Sequence, residues 1–225
     1  MFERSREVVK ENAPQFHFQT KFDLTLLLGQ KAASARELLA HIRSVPKASI
    51  YFHTHKFLEQ HHYLSPEPPN DFAYWVSTVL NETNLGERLS SIDIIQFRSI
   101  TELRDSIIGE LDRYLSTSRR AVEAPNGQEF YFMSCRTFVL PTPFVAHSLT
   151  DFKNFLKLVS IQSIYYHIFD ARLRLEQGEN DFSRFFRSLG QDSLAEEVLR
   201  LDPYTYTLEG LKQKLVSLIE KHERP

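Results

Sequence analysis

The sequence predicts a mainly α-helical fold, with α+β as its variant, built as a tandem duplication of one unit of about 100 residues. Three observations carry the prediction: an internal repeat at a nearly constant offset, apolar stripes at helical spacing behind cap-forming residues, and a stretch of alternating character at the start of each repeat. At an offset of 114, FHF at 16–18 meets FYF at 130–132, Ser34 with Glu37 meets Ser148 with Asp151, and VPKASIYFH at 45–53 meets VSIQSIYYH at 159–167. Five of those last nine positions are identical. Further along, NDF at 70–72 meets NDF at 180–182, and LGERLSSID at 85–93 meets LAEEVLRLD at 194–202. The boundaries that follow are an N-terminal extension at 1–15, a first copy at 16–118, a linker at 119–129 and a second copy at 130–222.

The elements of each copy can be taken in order. FHFQTKFDLTLLL at 16–28 and FYFMSCRTFVLP at 130–141 alternate in places and are rich in Phe, Thr and Leu, which predicts a short strand or hairpin opening each copy. Helices then start near residues 35, 50, 71, 85 and 100. Ser34 to Glu37 and Ser148 to Asp151 have capping-box spacing, and Asn84 to Glu87 and Ser193 to Glu196 repeat it. Behind the caps run apolar stripes: Leu38, Leu39, Ile42 and Val45 in the first copy, Phe152, Phe155, Leu156 and Val159 in the second. The last helices show Ile100, Leu103, Ile107 and Leu111 against Leu208, Leu211, Leu215 and Leu218. The first copy is longer mainly at LSPEPPND, 64–71, where Pro66, Pro68 and Pro69 disfavour regular structure. The linker carries Pro125 and the turn pair Asn126-Gly127.

Composition narrows the function classes. A chain of 225 residues with 42% hydrophobic and 25% charged residues is that of a folded domain, and no stretch reaches the 18 or so apolar residues of a membrane span. With no signal-like N-terminus, the expectation is a cytoplasmic protein. The single Cys135 cannot form an internal disulfide, and its counterpart is Lys21, which argues against a duplicated thiol chemistry. A net charge of −2 disfavours nucleic-acid binding, with RLRL at 172–175 and RFFR at 184–187 as the counter-signal. None of the seven glycines forms a phosphate-cradling loop. No organic cofactor is implied.

Polar residues kept in both copies are the candidates for function: Ser49/Ser163, Tyr51/Tyr165, His53/His167, Asn70/Asn180 and Asp71/Asp181. One reading makes Tyr51 with His53 and Tyr165 with His167 acid/base pairs, oriented by Asp71 and Asp181, since imidazole titrates near neutrality and a carboxylate fixes its tautomer. The other has Ser49 cap one helix, Asn70 or Asp71 cap the next, and His53 make a buried hydrogen bond between helices. Capping preferences alone account for most of the set and favour the second reading. A further cluster belongs to the first copy only, where His41, His53, His55, His61 and His62 lie within 22 residues. On a helix, His55, Glu59 and His62 fall at i, i+4 and i+7, a spacing that suits a divalent metal. Phe169 and Leu173 stand at the places of His55 and Glu59 in the second copy.

SIYFH at 49–53 and SIYYH at 163–167, with NDF followed by an aromatic at Trp75 and Phe185, make the chain resemble an uncharacterised family of bacterial and archaeal proteins, domain of unknown function 5752. The resemblance covers nearly the whole chain and brings no activity, cofactor or catalytic residue. The expectation is therefore a non-enzymatic binding or scaffold protein, acting on an unknown protein or small molecule at the seam between the copies, where surplus aromatic side chains would gather. A metal-assisted hydrolase built on the histidine-rich segment is the alternative.

Overall fold

The computed structural model describes residues 14–57, 59, 70–118, 122–175, 179–201 and 206–223. Its architecture is α+β and mainly helical, with a two-stranded sheet at the centre. The first half runs β1 (Phe16–Ala32), α1 (Ala35–Ser44), α2 (Lys47–Tyr51), a π-helical turn (Phe52–Lys56), α3 (Asp71–Thr78), α4 (Thr83–Ser90) and α5 (Ile100–Thr117). The second runs β2 (Phe130–Ala146), α6 (Leu149–Leu158), α7 (Ile161–Tyr165), a second π-helical turn (Tyr166–Asp170), α8 (Ala171–Leu175), α9 (Asp181–Ser188), α10 (Asp192–Leu199) and α11 (Leu208–His222).

The opening segments are neither short nor hairpins. Each is a 17-residue strand, and each pairs with the other rather than folding back on itself. They run antiparallel from Phe16 opposite Ala146 to Ala32 opposite Phe130, so the start of each strand meets the end of its partner, with Asp23 opposite Thr137 at the middle. A register shift between Leu27 and Lys31 accommodates Gly29, whose φ of 74° suits glycine and lets the strand continue past the LLL run. Pro141 and Pro143 are tolerated because β2 has one neighbour and therefore a free edge.

The ribbon connects two hydrophobic cores, and it does so crosswise. Phe16 and Phe18, from the start of β1, pack with Phe152, Phe182, Phe186 and Leu211 of the second half. Phe130 and Phe132, from the start of β2, pack with Leu38, Ile42, Phe72 and Leu103 of the first. Each set of helices is thus completed by the other half's strand. The apolar stripes read from the sequence are these cores: Leu38, Ile42, Leu103, Ile107, Phe152, Leu156, Leu211 and Leu215 are all at most 1% exposed.

Caps fall partly as expected. Ser34 Oγ accepts from Glu37 N at 3.3 Å and Ser148 Oγ from Asp151 N at 3.1 Å. Asn70 caps α3, accepting from Ala73 N at 2.9 Å, and Asn180 caps α9 in a full capping box with Ser183. The other assignments are corrected. α4 and α10 begin at Thr83 and Asp192, behind Glu82 and Gln191, neither of which makes a side-chain cap, so Asn84 and Ser193 lie inside their helices. Asn84 Oδ1 instead accepts from Arg88 Nε at 3.1 Å, a pairing one helical turn apart. Ser49 and Ser163 are likewise interior to α2 and α7. Both are fully buried, and Ser163 Oγ donates to Gln19 O of β1 at 2.6 Å. The linker turns as predicted: Gln128 N donates to Pro125 O at 2.9 Å around Gly127, with φ 85°. The proline-rich segment at 64–69 lies outside the described residues.

Candidate functional site at the seam

The motif residues split between two places. His53 and His167 sit in the π-helical turns and are nearly fully buried. His53 Nδ1 lies 2.6 Å from Asp71 Oδ2, and its Nε2 accepts from Met133 N of β2 at 2.9 Å. His167 repeats the arrangement, 2.7 Å from Asp181 Oδ2 and accepting from Gln19 N of β1 at 2.8 Å. A ring nitrogen that accepts from a backbone N–H carries no proton, so Nδ1 holds the hydrogen and donates it to the aspartate. Aromatic rings close around both: Phe130 lies 4.6 Å from His53 and Phe16 lies 4.9 Å from His167. Each pair therefore pins the other half's strand against its own helices. The tyrosines are not part of either pair.

Tyr51 and Tyr165 point instead to the centre of the ribbon, where the structure gathers a cluster of charges of which the sequence marks Glu59 alone, and for a different role. Lys21, on the inner face of β1, has its ammonium 2.8 Å from Asp170 Oδ2, 3.0 Å from Glu59 Oε2 and 3.5 Å from Asp23 Oδ2. It donates to Tyr51 Oη at 2.7 Å, and Tyr51 in turn donates to Asp170 Oδ1 at 2.8 Å. The Tyr165 ring lies beneath the same ammonium, 4.6 Å away, and Tyr165 Oη donates to the backbone oxygen of His55 at 2.7 Å. Lys56 adds a second cation, 2.9 Å from Asp23 Oδ2, while Thr137 Oγ1 donates to Asp23 Oδ1 at 2.5 Å. The carboxylates of Asp170, Glu59 and Asp23 stand far apart in the sequence, and no local pattern links the three.

Electrostatics fix the protonation states. Burial alone would lower the Lys21 ammonium's pKa, but the attraction of Asp170, Glu59 and Asp23 outweighs it and holds the group charged above the ordinary lysine value. Burial, then the Asp170 charge, pushes Tyr51 well above its ordinary value, so it stays a phenol and a donor. Burial also pushes the Asp170 carboxyl up, against the pull of Lys21 and Tyr51. His55 is held neutral: burial and then Lys21 take its pKa down to about 3. The Cys135 thiol is pushed up to about 11, chiefly by burial, so it is not a nucleophile at neutral pH.

A cavity of about 340 Å³ opens beside this cluster at the seam between the halves. Lys47, Ala48, Tyr51 and Ile100 line it from one side, and Cys135, Thr137, Tyr166, Asp170 and Leu173 from the other. An apolar volume of that size with a few convergent polar groups at one wall is the form of a small-molecule site. An open cleft of about 570 Å³ runs over His167, Asp181 and Arg184, but there both ring nitrogens are already engaged.

Of the three residues spaced for a metal, His62 lies outside the described residues. His55 Nδ1 lies 3.2 Å from Thr54 Oγ1 and its ring stacks on Tyr51 at 5.6 Å, while Glu59 is committed to Lys21. Among the described residues no group of three or more His, Cys, Asp or Glu side chains is placed to hold a metal ion. No helix among them is long and apolar enough to cross a membrane.

A family model described as a family of unknown function, DUF5752, matches residues 13–220. The solved structure of OrfY from Thermoproteus tenax superposes with a TM-score of 0.78 at 29% identity, over 94% of this chain and 96% of that one. A comparison with curated proteins finds no match.

Proposed function

The chain belongs to the DUF5752 family, and from that premise we propose that it is a non-enzymatic binding module: a tandem duplication whose two copies exchange strands and hold a small molecule at their seam. The observation that carries this reading is the cavity whose lining comes from both halves and whose polar wall is the Tyr51–Asp170 hydrogen bond. The equivalent His–Asp pairs, the helix-capping Asn70 and Asn180, and the π-helical turns at matching places support the duplication. The cavity itself breaks the symmetry, because Lys21 and Cys135 occupy corresponding positions.

The chemistry of the wall suggests the ligand class. Ala48, Ile100, Leu173 and the Tyr166 ring favour an apolar body. Lys47, exposed, also lines the cavity, while in the buried cluster Lys21 and Lys56 face Asp23, Glu59 and Asp170, one carboxylate in excess; Asp170, bonded to Tyr51 and Lys21, is the one that reaches the cavity. A small molecule with an apolar body and one cationic, hydrogen-bond-donating end complements that arrangement.

The experiment is ligand-observed NMR of small aliphatic and aromatic amines against the protein and against Ala48→Trp, which fills the cavity. Amines that bind the protein, together with loss of binding and unchanged circular dichroism in the variant, are expected. A variant that folds and binds as well as the parent, or a parent that binds no amine, would remove this reading.

A further inference from the structure

The correspondence between the halves also relates the cavity to the charged cluster. At the offset of 114, Cys135, Thr137 and Leu173 of the cavity wall stand at the places of Lys21, Asp23 and Glu59. Tyr51 and Tyr165 correspond to each other, and Tyr51 lines the cavity while the Tyr165 ring lies beneath the Lys21 ammonium. The seam therefore holds two matching places that differ in what fills them. Where β2 offers the short thiol of Cys135, space is left. Where β1 offers Lys21, a long side chain runs in and ends among carboxylates, itself only 5% exposed.

On the duplication proposed above, we infer that Lys21 is an internal ligand: it fills the second of two binding places at the seam, and the walls around its ammonium form a site for a primary alkylammonium ion. The hydrogen bonds set the class. An ammonium on an alkyl stem has three N–H donors, and three acceptors meet them, Asp170 Oδ2 at 2.8 Å, Glu59 Oε2 at 3.0 Å and Tyr51 Oη at 2.7 Å. The Tyr165 ring, 4.6 Å from the same nitrogen, favours a cation over a neutral donor. Charge points the same way. Without Lys21, the three carboxylates of Asp23, Glu59 and Asp170 would face the Lys56 ammonium alone, and buried charge left uncompensated draws in a cation. A quaternary ammonium has no N–H to give to these acceptors, so the site discriminates against it.

The test is thermal unfolding of Lys21→Ala, followed by circular dichroism, in n-propylammonium chloride, which restores the three carbons and the nitrogen that the substitution removes. The parent, Lys21→Met and tetramethylammonium chloride are the references, since methionine keeps an apolar stem of similar length and leaves little room. At about ten times its dissociation constant, n-propylammonium is expected to raise the folded-to-unfolded ratio of Lys21→Ala about tenfold beyond any gain of the parent. Tetramethylammonium should give no such excess, and Lys21→Met should gain no more than the parent. No excess in Lys21→Ala, or an equal one in Lys21→Met or with tetramethylammonium, overturns the inference. If Lys21→Ala does not fold by itself, the same comparison is read as recovery of helicity on adding n-propylammonium, and no recovery overturns it. Binding of the amine to the parent reports on the cavity alone, so failure there and failure here are read separately.

Discussion

Lys21 shows how a single side chain can hold three carboxylates in place. Removing one partner from a buried charged cluster leaves the others uncompensated, a cost of about 3–5 kcal/mol. Lys21→Met is therefore expected to lower unfolding free energy by that order in urea titration, and a loss below about 1 kcal/mol would show that the cluster is not held by this ammonium. Because its folded value is raised, its contribution is fully present below the unfolded value of about 10.5 and disappears only as pH climbs through the folded one. His55 works in the opposite direction. With its folded pKa lowered to about 3 against an unfolded value near 6.5, the unfolded chain binds the extra proton between those limits, so stability falls as pH drops below about 6.5. By pH 5 the loss from this one group is about 2 kcal/mol. In His55→Phe, which places in the first half the residue found at Phe169 in the second, the stability difference between pH 7 and pH 5 should shrink by that amount. An unchanged difference would mean that His55 is not neutral in the fold.

Elements are held by their ends and by the two histidine–aspartate pairs. α9 is entered through Asn180, whose side chain is fully buried and whose capping box with Ser183 satisfies two backbone donors. Asn180→Ala should cost about 1–2 kcal/mol, at the upper end for a cap, because the orphaned Ser183 N–H is buried as well. Equal stability of the variant by thermal unfolding would contradict that account. Asp71→Asn and Asp181→Asn address the pairs themselves. If the aspartates only orient the ring, amide substitution keeps a partner at Nδ1, and the fold should survive with a loss of about 1–2 kcal/mol, read by urea titration. Loss of folding altogether would point to a charge requirement at these positions. The π-helical turns lie where SIYFH and SIYYH end, and they are wider than a sequence pattern can signal, since an i to i+5 turn contains no distinguishing residue type.

At the scale of the whole molecule, the exchanged strand starts make the halves interdependent. Phe16 and Phe18 complete one core and Phe130 and Phe132 the other, so a chain ending at Pro125 would leave the first half's helices without two of their most buried rings. Each Phe deletion from such a core costs about 3–5 kcal/mol, comparable to the full stability of a small domain. Residues 1–125 expressed alone are expected to yield no folded monomer, and mixing with residues 126–225 should restore helicity and a sharp unfolding transition. A cooperatively folded monomer from the first fragment would show that the exchange is dispensable.

Much of this molecule is legible along the chain. The order of elements, the helix starts near 35, 71 and 100, the caps at Ser34, Ser148, Asn70 and Asn180, and the stripes that become the cores all follow from local periodicity and local hydrogen bonding. So does the spacing of His53 to Asp71 and His167 to Asp181, though not what those pairs hold. Only the tertiary structure decides which strand pairs with which, because alternation reports that a face is buried without naming its partner. That one non-local choice, β1 against β2, carries Lys21 to Asp170, sends each histidine to the opposite strand, opens the cavity at Tyr51 and turns Phe22 and Phe138 outward. Lys21 gave a single local signal, a lysine on the buried side of an alternating run. Its meaning depends on carboxylates as far away in sequence as Asp170, brought near by pairing that no window of the sequence encodes.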